Sequence, residues 1–206
     1  MIKLLGRLPR NSVLACSGGP DSMAALDFLV MGKKSVTVAY FDHGTKHGAE
    51  AGEFLQDYCS ENSLNIEIGK IIGSKPSDES WEEWWRNERY EFLNSIPGTK
   101  ITAHHLNDVA EWWIFTSLNG YPRLIPYQNG SVIRPFLATR RQTLESWCTR
   151  KNVPFVLDPS NKDNRFARAK IRNKIMSHAL DINPGFLTVL EKRVREEYIS
   201  SRGDVF

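Results

Sequence analysis

Hydrophobic and polar positions along this chain switch repeatedly between a period of two and a period near 3.6. Residues 12–16 (SVLAC) and 35–42 (SVTVAYFD) are β-branched and apolar on both faces, the pattern of strands buried in a parallel sheet. Residues 65–72 (NIEIGKII) alternate, 100–105 (KITAHH) form a short run, and 131–137 (SVIRPFL) read as a fifth strand. Helical spacing fills the gaps: 21–31, with Met23, Leu26, Phe28, Leu29 and Val30 apolar, and 49–62, with Phe54, Leu55, Tyr58 and Cys59. A third helix over 80–95 opens with Ser80 and Glu83 at capping-box spacing, and 107–119 and 140–151 supply two more. Strand–helix alternation of this kind predicts an α/β fold with a doubly wound, mainly parallel five-stranded sheet and helices on both faces. After Pro154 the character changes to a polar loop, DPSNKDNR, followed by basic helical segments. The expected organisation is a sheet domain over 1–157 and a small helical appendage over 158–206 packed on it.

Composition narrows the class. The chain has 206 residues, 41% hydrophobic and 25% charged, in the range of one soluble globular domain with a real core. It contains no apolar run near the roughly 20 residues of a membrane span. The opening MIKLLGRLPRNS has no long apolar stretch, so no secretory signal is expected and the protein reads as cytoplasmic. Cys16, Cys59 and Cys148 are far apart and form no CxxC pair, which argues against a zinc ribbon or an iron–sulfur cluster and for free thiols in a reducing compartment. Net charge is +3, but residues 134–174 carry eleven basic and three acidic side chains, a local +8, leaving −5 for the rest. That zone points to a polyanionic partner or to a solvated basic face.

In an open α/β sheet, ligands bind beyond the carboxyl ends of the strands. The polar groups of note fall there. Ser17-Gly18-Gly19-Pro20-Asp21-Ser22 follows the first strand, Asp42-His43-Gly44 the second, and His104-His105 the fourth. The first turn matches neither GxGxxG nor GxxxxGK[ST]. Its two adjacent glycines and the helix start behind them suit a phosphate or pyrophosphate held by backbone N–H groups, the alternative being a plain turn capped by Asp21. His104, Asp108 and Glu111 lie at helical spacing that aligns them for a divalent cation, with Asp108 as a Mg2+ ligand; the alternative is a helix start capped by Asn107 or Asp108. In SWEEWWRNERY, Trp81, Trp84 and Trp85 read as core, Arg86 as a residue able to reach a phosphate, and Arg89 as a surface salt bridge.

SGGPDS resembles the loop of the PP-loop ATP pyrophosphatases, which cleave ATP between the α- and β-phosphates. That resemblance implies ATP and Mg2+, with Asp21 as a metal partner. The pieces together, DHGTK, RNERY, HHLNDVAEWW, RPFL and DPSNKDNRFARAKIR, run in order over residues 13–172 and resemble the tRNA(Ile)-lysidine synthetase branch of that superfamily. The branch implies adenylation of a cytidine in a tRNA(Ile) anticodon (CAU), release of pyrophosphate, and attack by free L-lysine to give lysidine. By the same resemblance Asp21, Asp108 and Arg86 are catalytic, and Ser17, Gly18, Gly19, Pro20, Ser22, His43 and His104 line the nucleotide site. Lys162, Arg165, Arg168, Lys170 and Arg172 meet RNA, and a homodimer is an allowed assembly. The chain departs from the branch in having AEWW and a short LNGYPRLIPY loop where a glycine-rich basic stretch is usual, and Ala169 where Asn is usual. Many members continue into further C-terminal domains that grip tRNA, whereas these residues end at Phe206. Three other readings stay open: a PP-loop tRNA thiolase, a small-molecule adenylating ligase of the superfamily, and a catalytically silent RNA-binding homologue.

Overall fold

A computed structural model describes residues 1–73, 75–78, 80–157 and 167–202. The elements run β1 (Asn11–Ala15), α1 (Pro20–Met31), β2 (Ser35–Asp42), α2 (Lys46–Glu61), β3 (Asn65–Lys70), α3 (Trp81–Ser95), β4 (Lys100–Thr102) and α4 (Leu106–Leu118). They continue with β5 (Gln128–Asn129), β6 (Val132–Ile133), α5 (Arg141–Lys151), α6 (Ala167–Lys170), a π-helical turn (Ile171–Ile175), α7 (Met176–Ile182) and α8 (Phe186–Ser201). The sheet order is β3-β2-β1-β4-β6-β5, with β1 central and parallel to both β2 and β4. Among the described residues only the β5–β6 pair is antiparallel.

The mainly parallel architecture agrees with the pattern-based expectation, and the strand count rises from five to six. The extra strand belongs to a hairpin in which Asn129 pairs with Val132 around Gly130, whose φ is +57°. Gly130-Ser131 is the two-residue turn, a glycine-first pair of the kind that closes tight hairpins, and it marks a two-residue strand before it. The strand expected over 131–137 stops at Ile133 because Pro135 has no N–H for the ladder. Phe136, Leu137 and Ala138 turn inward instead and are fully buried.

Both faces of β1 are covered, which is why Val13 and Leu14 carry no polar neighbour between them. Leu14, Met23, Leu26, Leu29, Leu55 and Ile101 belong to the main core between the sheet and its helices. The described part of the C-terminal segment docks on α4: Leu106, Ala110 and Ile114 pack with Ile171, Met176, Leu187 and Leu190. Val194 joins Leu5, Val109 and Leu137, and Lys3 Nζ lies 2.8 Å from Glu191, so the first residues of the chain and α8 hold each other. No described helix is long and apolar enough to cross a membrane.

Candidate functional site

The strand order reverses at β1, where the chain leaves first toward β2 and later returns at β4, and ligand crevices form at such points. A crevice of about 500 Å³ opens there beyond the carboxyl ends of β1, β2 and β4.

The turn after β1 forms its floor. Gly18 sits at φ +76°, and an added Cβ would meet Val156 Cγ2 at 2.9 Å, so a side chain is excluded twice, by conformation and by space. Gly19, not Asp21, occupies the N-cap of α1; it offers no side-chain acceptor, and Pro20 follows inside the first turn. The first N–H groups of α1 are therefore left for an anion. Ser22 ties the turn together: its hydroxyl donates to Gly19 O (3.0 Å) and accepts from Ser17 N–H (3.2 Å). A strap after α5 crosses over, where Val156 N–H donates to Gly18 O (2.9 Å), and Val156 and Leu157 line the crevice. Ser17, Gly19, Pro20, Asp21 and Ser22 line the crevice directly, while Gly18 shapes it from behind.

Across from that turn, β4 delivers His104 and His105. His105, rather than Asn107 or Asp108, is the N-cap of α4. Its Nδ1 accepts from Asp108 N–H (3.2 Å), and the Asp108 carboxylate accepts from His105 N–H (2.9 Å). The far side of the ring, Nε2, lies 3.4 Å from Asp21 Oδ2, so one imidazole bridges the carboxylates supplied by α1 and α4. Burial alone would depress its pKa, but Asp108, Asp21 and Glu111 together outweigh burial and raise it. The sequence placed His105 at this strand end without a role; the signal for one was a capping acceptor three residues before Asp108. Asp108 is held down to about 2: burial opposes this, and His105, His104 and Arg168 overcome it. His104 behaves oppositely. Burial, against the pull of Asp108 and with help from Arg134, Arg168 and Arg89, pushes it down to about 4, and its Nδ1 sits 2.8 Å from Thr102 Oγ1.

Glu111, expected beside a divalent metal ion, pairs with an arginine instead. It is 2% exposed and accepts a fork from Arg172, Nε to Oε1 at 2.7 Å and Nη2 to Oε2 at 2.9 Å. Arg168 Nη2 approaches Asp108 Oδ1 at 3.5 Å. Both arginines line the crevice, so they lie against the carboxylates, while Lys170 does not line it. Lys162 and Arg165 lie outside the described residues. Arg134, counted in the basic zone, is a buried structural cation that donates to Pro126 O and Tyr90 Oη.

On α3 the expected roles exchange. Arg89, expected as a surface salt bridge, opens onto the crevice, where burial and the neighbouring Arg86 and Arg168 lower its pKa against the pull of Tyr90. Arg86 is not part of the crevice wall and lies over the Tyr90 ring (5.7 Å). Of the three tryptophans expected in the core, only Trp84 is buried; Trp81 is 53% exposed and Trp85 is half-buried. His43 lines the crevice as expected. The three cysteines are buried free thiols; burial raises all three, Cys59 and Cys148 to about 11.

Magnesium is commonly held by one or two carboxylates completed by phosphate oxygens and water. Asp21 Oδ1 is buried without a hydrogen-bond partner among the described residues, and Asp108 faces the same space, so this pair fits that donor set. Among the described residues no group of three or more His, Cys, Asp or Glu gathers into an all-protein metal cage.

A glycine turn at the switch point, opposed by carboxylates and arginines, has the chemistry to receive nucleotide phosphates. The PP-loop domain model matches residues 3–179, and the chain belongs to that family. Among curated proteins it is similar to the tRNA(Ile)-lysidine synthase of Thermosipho africanus (strain TCF52B), 35% identical over 193 residues, covering 84% of this chain and 45% of the relative. The tRNA(Ile)-lysidine synthase of Staphylococcus aureus (strain COL) is 30% identical over 191 residues, covering 83% and 44%. The chain thus spans somewhat less than half the length of these relatives. An NH3-dependent NAD synthetase structure from Campylobacter jejuni aligns with 98% of this chain and 91% of its own at 13% identity, TM-score 0.49.

Proposed function

We propose that this chain is an ATP-dependent tRNA-modifying ligase acting in the cytoplasm. It adenylates the wobble cytidine of a tRNA(Ile) with a CAU anticodon and then joins free L-lysine to make lysidine. The observation that carries the reading is the single crevice in which the α1 N-terminus, the Asp21–His105–Asp108 bridge and Arg89, Arg168 and Arg172 face one another. The names of the similar proteins support the choice of RNA and of lysine over other partners.

In the first step the base oxygen on C2 bonds to the α-phosphorus of ATP, and the bond to the bridging oxygen of the β-phosphate breaks. The N–H groups of the Gly18–Gly19 turn and of α1 hold the pyrophosphate as it leaves, with no reorganisation at the moment charge develops. Asp21 and Asp108 would hold a Mg2+ ion here, and its charge would neutralise the leaving pyrophosphate. Arg168 and Arg172, positioned by Asp108 and Glu111, add fixed positive charge on the opposite wall. His104, neutral above about pH 4, keeps that wall from gaining a further cation. In the second step the lysine amine bonds to C2, loses a proton, and AMP leaves. Lys162, Arg165 and Lys170 contact the tRNA backbone, where counterion release dominates affinity. The buried, protonated thiols disfavour sulfur transfer.

The test is mass spectrometry of nucleosides from tRNA(Ile) incubated with the protein, ATP, Mg2+ and lysine. Lysidine is expected only in the complete mixture, with pyrophosphate released. ATP–pyrophosphate exchange that runs fully without RNA would move the assignment to a small-molecule ligase. No pyrophosphate with a complete tRNA pool would make the chain a silent RNA-binding homologue.

A further inference from the structure

Helix α3 presents a line of aromatic rings that leaves the crevice and ends in solvent. His43, on the crevice wall, lies 5.6 Å from Trp85, and Trp85 lies 5.6 Å from Trp81, centroid to centroid. Phe41 anchors the inner end at 5.1 Å from His43. Trp84 packs beneath Trp81 at 5.6 Å and is itself buried, so it supports the outermost ring from the protein side. Trp81 is 53% exposed. Half-exposing an indole beside a buried one forgoes apolar burial, and sequence patterning assigned this ring to the core.

Cations stand at both ends of the line. Lys75 Nζ lies 5.8 Å from the Trp81 ring. At the crevice end Arg89, one turn after Trp85, lines the wall and lies 5.8 Å from the Tyr90 ring. Glu83 falls roughly 200° around the helix from both Trp81 and Trp85, away from the rings. Glu82 and Glu88 lie three positions before and after Trp85, each about 60° around the helix from it, so acidic positions flank that of the inner ring and the outer ring is left to Lys75. Exposed aromatic faces flanked by lysine and arginine are how proteins hold unpaired nucleotides: bases stack on the rings and phosphates meet the cations. An apolar protein partner would have no use for the Lys75 ammonium over the outer ring.

We propose that Trp81 and Trp85 form a stacking platform for the unpaired nucleotides that flank the target base in an RNA loop, with Lys75 and Arg89 meeting their phosphates. The platform is continuous with the crevice through His43, so a loop laid on it delivers its next base to the adenylation site. This inference rests on the proposed RNA substrate.

The test measures binding of a fluorescent anticodon stem-loop to the full chain, in parallel with ATP affinity. Trp81→Ala weakens RNA binding about 5- to 150-fold, the equivalent of roughly 1–3 kcal/mol for a lost stack. Trp81→Phe restores most of that loss, ATP affinity stays unchanged in both variants, and RNA quenches tryptophan emission in the wild type but much less in Trp81→Ala. Wild-type RNA affinity in Trp81→Ala would overturn the platform while leaving the RNA substrate standing. No RNA binding by the wild type would overturn the substrate, and the platform with it. A change in self-association of Trp81→Ala, with RNA binding intact, would make this face a contact between copies of the chain and refute the proposal.

Discussion

Truncating Arg172 tests the coupling between the C-terminal helices and the sheet domain. Arg172 makes a two-point contact with Glu111 at 2.7 and 2.9 Å, and Glu111 is 2% exposed, so Arg172→Ala strands a carboxylate in the interior. Breaking a buried pair in this way costs roughly 3–5 kcal/mol. Two features reduce that figure. The Arg172 side chain is 29% exposed, and Arg168 Nη2 lies 3.8 Å from Glu111 Oε2, able to offset part of the lost charge. The expected loss is about 2–3 kcal/mol, which for a chain of this size lowers the melting temperature by roughly 4–12 °C. Urea unfolding of the wild type, Arg172→Ala, Glu111→Gln and the double variant measures it. The double variant should be less damaged than the sum of the single ones by about 1–2 kcal/mol, because the second change removes the charge that the first left unpaired. A loss below about 0.5 kcal/mol for Arg172→Ala, or strict additivity, would refute the argument that this pair holds the C-terminal segment to α4.

Other outcomes follow from the same geometry. Asp21→Ala abolishes pyrophosphate release while RNA affinity stays near wild type; an active variant would remove Asp21 from the catalytic role. Gly18→Ala forces an L-residue into φ +76° against Val156, at roughly 1–3 kcal/mol, and an unchanged melting temperature would show that the turn is not conformationally demanding. Glu191, despite partial burial, is held below its ordinary 4.5 by Lys3 and Arg195. Its contribution is therefore present above pH 4.5 and lost as pH falls through the lower folded value. Glu191→Gln should flatten that acid limb of stability, measured by thermal melts between pH 3 and 6, and an unaltered limb would exclude the Lys3–Glu191–Arg195 link as its source.

Helices, most strands and the phosphate turn were legible in the linear order of residues, because the forces that define them act over three or four positions. Ser80 caps α3 by accepting from Glu83 N–H, as its spacing foretold, and the apolar runs of β1 and β2 are buried on both faces. Even the extra hairpin was encoded locally, in the turn Gly130-Ser131. The site was legible in part, since Asp21, His43, His104 and Asp108 all sit at strand ends that this topology must bring together. Which side chains meet there was not. Arg86 and Arg89 are three residues apart, roughly 60° on a helix, and only the packing of α3 against β2 turns Arg89 rather than Arg86 into the crevice. Asp21 and His105 are separated by 84 positions, and Glu111 and Arg172 by 61, so no local pattern distinguishes a carboxylate open to the crevice from one committed to an arginine. Long-range pairing also decides that Trp84 is core while Trp81 faces water, although both lie on one aromatic stretch. Local chemistry sets the elements and the turn that receives a phosphate; the contents of the crevice depend on side-chain directions that exist only once distant segments have packed.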